Sequence, residues 1–81
     1  MDYAQRLRGL REDADKTQAE IAKLLGTSQQ YYGKYESGER PLPIDRLYIL
    51  CEYYGVSADY ILGLPAGRPY GLSKTRFNTE K

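Results

Sequence analysis

Apolar residues recur in steps of three and four along the first three quarters of the chain, and turn residues cut that pattern into five pieces. Tyr3, Leu7, Leu10 and Ala14 form the first stripe and predict a helix from Tyr3 to Ala14. The acidic run Glu12, Asp13 and Asp15 opposes the helix dipole there, so fraying is expected at that end. The second piece opens with Thr17 and Glu20 in capping-box spacing. Ile21, Leu24 and Leu25 make its buried stripe, with Ala19 and Ala22 small enough for close packing. Gly26 ends it, and Ser28 caps a third helix that closes at Ser37 and Gly38.

Pro41 and Pro43 punctuate the way to a fourth helix, expected at Ile44–Tyr54, with Ile44, Leu47, Leu50, Cys51 and Tyr54 on its inner side. Gly55 stops it, and Ser57 caps a short fifth helix ending near Leu62. Five helices in 63 positions leave no room for a sheet, so the fold class is all-α. After Gly63 the periodicity fails. Residues 64–81 are rich in Gly, Pro and basic residues and read as a flexible tail behind a domain at 1–63.

The third helix is two-faced. At about 100° per residue, with Gln29 at zero, Gly33 falls at about 40°, Gln30 at about 100° and Lys34 at about 140°. Tyr32 and Tyr35 fall on the opposite side, at about 300° and 240°, and are core candidates. Tyr31, at about 200°, sits on the border between the faces. Gly33 costs a helix about 1 kcal/mol relative to alanine. Either it is a tolerated weak position, or its missing side chain lets the backbone approach a partner. The helix therefore presents glutamines and a lysine outward while its aromatics hold it from within. A glutamine amide pairs with two atoms of an adenine edge, so this face suits the major groove of DNA. A merely solvated polar face is the alternative.

Composition narrows the field. One cysteine and no histidine exclude an internal disulfide, a zinc site and a Cys–His nucleophile built from this chain alone. No cofactor motif and no metal-ligand set are visible, no apolar run approaches bilayer length, and no signal-peptide core opens the chain. A cytoplasmic protein that is not an enzyme is the expectation. Net charge is only +1, but it is uneven. Residues 1–63 hold eight Lys/Arg against ten Asp/Glu, and residues 64–81 hold four against one. A mildly acidic body argues against non-specific coating of nucleic acid.

Thr17-Gln18-Ala19-Glu20-Ile21-Ala22, Gly26, Ser28, Gln29-Gln30 and Tyr35-Glu36-x-Gly38 resemble the phage Cro/repressor (Xre-type) helix-turn-helix family. Gly55-Val56-Ser57-x-Asp59-x-Ile61-Leu62-Gly63 is similar to the way such domains close, so the likeness covers roughly residues 4–63. It implies a compact five-helix, lambda-repressor-like DNA-binding domain with the helix-turn-helix at helices two and three. It also implies roles: Gln29, Gln30 and Lys34 at base edges, Gln18, Arg40 and Tyr31 at phosphates, and Arg11 with Glu36 as an ion pair joining the first and third helices. Lys16 and Asp15 depart from the pattern, standing where these domains usually have an apolar residue and a glycine. Pro43 replaces the usual Ser/Thr cap.

The resemblance implies a sequence-specific regulator, a repressor, binding a double-stranded operator as a homodimer. The alternative is an antitoxin or accessory protein-interaction module with autoregulatory DNA binding, whose basic tail, with Arg68, Tyr70, Lys74, Arg76 and Phe77, grips a protein partner.

Overall fold

Where each helix stops is set by one recurring device. The computed structural model describes residues 3–65, and every regular element among them is an α-helix. These are α1 (Tyr3–Asp13), α2 (Gln18–Leu25), α3 (Gln29–Ser37), α4 (Ile44–Tyr54) and α5 (Ala58–Leu62). The last four end on a glycine with positive φ, Gly26 at 74° for example. There the Gly26 N–H reaches the Lys23 carbonyl and the Thr27 N–H the Ala22 carbonyl, a Schellman closure. α1 closes in the same way on Asp15, at φ 57°, with Asp15 N–H to Glu12 and Lys16 N–H to Arg11. Asp15 thus occupies a left-handed position that favours glycine. The acidic end of α1 keeps its ladder as far as Ala14, whose N–H still bonds Leu10.

The helix starts are equally local. Thr17 and Glu20 form the reciprocal capping box, and the Thr17 N–H holds the Glu20 carboxyl below its ordinary range. Ser28 and Ser57 accept from the N–H groups of Tyr31 and Tyr60. Pro43 caps α4 without a side-chain bond, at φ −64°.

The core is Leu7, Ile21, Ala22, Leu25, Tyr32, Tyr35, Leu50 and Ile61, drawn from all five helices. Tyr32 and Tyr35 are fully inside, edge-to-face at 6.1 Å. Their hydroxyls are satisfied: Tyr32 donates to Glu36, and Tyr35 accepts from Arg46 Nη1 at 2.7 Å. Tyr3 reaches from α1 to accept the Leu42 N–H at 2.9 Å and pins the loop before α4.

Four expectations need correction. Leu24 is 40% exposed, because α2 turns Ile21, Ala22 and Leu25 inward and leaves Leu24 about 60° outside that arc. Ala14 and Ala19 are exposed as well. Ile44, 81% exposed, lies at the uncovered start of α4, where only Leu50 is fully buried. Of residues 64–81, expected to be a flexible tail, Leu64 is described and its N–H bonds the Asp59 carbonyl at 2.8 Å; residues 66–81, with the protein partner assigned to the tail, lie outside the described residues.

Candidate nucleic-acid interface

α2 and α3 are joined by Gly26, Thr27 and Ser28, and the left-handed Gly26 turns the chain sharply enough to cross α3 over α2. Thr17 and Ser28 fix the N-terminal turns of both helices, which point free first-turn N–H groups outward. On this scaffold Gln29 and Gln30 stand in solvent at the start of α3 and Lys34 is partly exposed one turn later. They share a shallow hollow of about 430 Å³ with Gln18, Gly33, Ser37 and Glu39. Gln18 comes from α2, so the hollow bridges both helices. Arg40 and Tyr31 lie together on another flank, the guanidinium 5.7 Å from the ring centroid. Tyr31 also packs edge-on against Tyr35 at 5.6 Å, so the core fixes its orientation.

Beneath the hollow lies a charged lock. The Glu36 carboxylate accepts from Arg11 Nε at 2.7 Å and Arg11 Nη2 at 3.2 Å. It also accepts from Gln18 Nε2 at 3.1 Å and from the Tyr32 hydroxyl at 2.6 Å. Arg11 Nη1 donates in addition to the Lys16 carbonyl at 2.9 Å. Burial pushes the Glu36 carboxyl up, but the bonds from Arg11, Tyr32 and Gln18 outweigh it and hold it below its ordinary value. Glu36 in turn raises the Arg11 value through the hydrogen bond. Burial, reinforced by donation to Glu36, pushes the Tyr32 phenol far up, so it stays a proton donor. One carboxylate therefore ties α1, α2 and α3 together directly under the outward face.

The lock constrains Gln18. One of its two amide N–H groups is committed to Glu36, which leaves the second for an outside acceptor. A Cβ added at Gly33 would meet the Gln18 amide oxygen at 3.5 Å, an ordinary contact. Gly33 is thus not demanded by packing within the chain.

Helical phase placed Gln29, Gln30 and Lys34 correctly relative to the tyrosines. Ser37 was missed, although the same phase puts it at about 80°, between Gly33 and Gln30. Glu39 lies beyond the helix, where no periodicity applies. Among the described residues no cluster of His, Cys, Asp or Glu could hold a metal, and no helix is long and apolar enough to cross a membrane.

A helix-turn-helix family model matches residues 7–61. The chain belongs to that helix-turn-helix family. The Cro/repressor likeness read from the motif residues is thereby shown. An uncharacterized HTH-type transcriptional regulator of Bacillus subtilis, YobD, is 45% identical over 62 residues, 76% of this chain and 55% of the relative. The chain therefore spans about half the length of that curated relative. A transcriptional regulator from Listeria innocua superposes with TM-score 0.75 at 28% identity, covering 79% of this chain and 60% of the other. The P22 c2 repressor, solved in complex with a synthetic operator, gives TM-score 0.70 at 26% identity, covering 76% and 94%. Helix-turn-helix architecture and outward polar face thus occur together here.

Proposed function

We propose that this helix-turn-helix chain is the sequence-reading part of a transcriptional regulator, a repressor, that lays α3 in the major groove of double-stranded DNA. The carrying observation is the hollow shared by Gln18, Gln29, Gln30 and Lys34, set directly above the Glu36 lock. A reading face must be rigid, and here buried tyrosines and a four-donor carboxylate hold it. The P22 c2 repressor's complex with its operator supports the same reading.

In this reading Gln29 and Gln30 pair with base edges, adenine being favoured by a bidentate amide, while Lys34 suits guanine. Each good pairing discriminates by about 1–3 kcal/mol. The second N–H of Gln18, the Arg40 guanidinium and the Tyr31 hydroxyl contact phosphates and set the register. One such unit covers few base pairs, so two copies on half-sites about 34 Å apart would supply useful affinity.

Selection from a random duplex library, followed by anisotropy titration of the enriched sites across salt concentrations, tests the proposal. An enriched two-fold site whose affinity falls steeply with salt is expected. Failure to enrich any sequence at low salt removes the specificity claim.

A further inference from the structure

The outward face of α3 does not stop with the helix. Gly38, at φ 84°, turns the chain sharply, and Glu39 comes to lie beside Ser37. The Ser37 Oγ is 3.4 Å from Glu39 Oε1 and 3.4 Å from the Glu39 nitrogen. Ser37 itself falls at about 80° in helical phase, in the middle of the outward arc. A carboxylate therefore lines the same hollow as Gln18, Gln29, Gln30 and Lys34.

That carboxylate is open to a partner. Glu39 is exposed, and the ion pairs among the described residues join Arg8 to Glu12 and Arg11 to Glu36, so Glu39 is paired with no cation there. Its side chain accepts only from the Ser37 hydroxyl, whose single proton is contested by the Lys34 carbonyl at 3.2 Å. Lys34 has no ion pair among the described residues either. The hollow thus presents one anionic acceptor and one cationic donor that the fold leaves apart.

In the major groove, docking strips water from Glu39, and its carboxylate needs N–H groups in return. Base edges there offer two, adenine N6 and cytosine N4. In an A·T pair the amino group lies between two acceptors, adenine N7 and thymine O4, which repel a carboxylate. In a G·C pair it lies at one end of the edge, with guanine O6 and N7 together on the other side. Those two acceptors suit a lysine. An acceptor and a donor side by side therefore match G·C and mismatch A·T.

We propose that Glu39 is a further specificity-determining residue: its carboxylate accepts from N4 of a cytosine and, with Lys34 on the paired guanine, fixes one G·C pair beside the positions read by Gln29 and Gln30. This rests on α3 entering the major groove, as argued above.

Selection from a random duplex library, run in parallel on the full chain and on full-length Glu39→Gln, tests it. The variant keeps the size of the side chain and removes its charge. The unaltered chain should enrich a site with a fixed cytosine. Glu39→Gln should enrich a site changed at that position alone, adenine replacing cytosine, because a glutamine amide pairs with adenine N6 and N7. By anisotropy, replacing that cytosine should weaken the unaltered chain by about 5- to 150-fold and leave the variant nearly unaffected. Identical sites from the two proteins overturn this inference and leave the DNA reading standing. So does a variant that binds all sequences more tightly, since the carboxylate then faces a phosphate. If the unaltered chain enriches nothing, the DNA reading falls and this inference with it.

Discussion

Arg11 Nε lies 2.7 Å from Glu36 Oε2, with the two side chains 13% and 4% exposed. Twenty-five positions apart in the chain, they join the first helix to the last turn of α3. By contrast, Arg8 and Glu12 pair at 3.0 Å on the surface of one helix, both mostly in water, and contribute little. Arg11→Ala would leave the Glu36 carboxylate nearly buried with too few donors, and a loss of about 3 kcal/mol or more is expected. Replacing both residues by apolar ones of similar size should cost much less than the two single changes together. Urea denaturation of the four proteins of that cycle measures both effects.

Acid should unfold the domain through the same carboxylate. Because the folded Glu36 value is depressed, its stabilisation is present above the unfolded value, about 4.3, and is lost as pH falls through the folded one. Unfolding free energy measured between about pH 2 and 6 should fall steeply at the acid end. Glu36→Gln, already weaker at neutral pH, should show a distinctly flatter acid limb.

Asp15→Gly should stabilise the protein. Asp15 holds φ 57° in the position where the other four helices place glycine. Relief of the left-handed cost predicts a gain of about 0.5–1 kcal/mol. A thermal melt reads it directly, and a lower midpoint would show that the Asp15 side chain contributes something beyond its backbone.

Substitutions on the reading face should separate specificity from affinity. Gln29→Ala and Gln30→Ala should each relax discrimination at particular base pairs by about 1–3 kcal/mol and leave the melt unchanged. Arg40→Ala should instead weaken binding to all sequences alike and reduce the salt slope by about one. Titrations against the selected site and its single-base variants distinguish the two classes.

Gly33→Ala is the sharpest probe of groove approach. The added methyl meets only the Gln18 amide, at ordinary contact distance, and removes a glycine from a helix. Stability should rise by about 1 kcal/mol while DNA affinity falls. Higher stability with unchanged affinity would leave Gly33 as a position that is merely tolerated.

Much of this was legible beforehand, for local reasons. The capping box at Thr17, the serine caps and the glycine stops act within four residues, so their geometry is written in their spacing. The two faces of α3 follow from helical phase, and with them the outward glutamines and inward tyrosines. Cover is different. Ile44 and Leu24 have the spacing of core residues, but spacing assigns a face without saying how far a neighbour extends over it.

The sequence by itself determined the five helices, their ends and the outward polar face of α3, because hydrogen bonds within a turn and the 3.6-residue period depend only on near neighbours. The tertiary structure alone decided that Gln18 would share one carboxylate with Arg11 and Tyr32, and that the outer side of α4 would stay bare. Those outcomes depend on distances between segments far apart in the chain, which are fixed only when the helices pack.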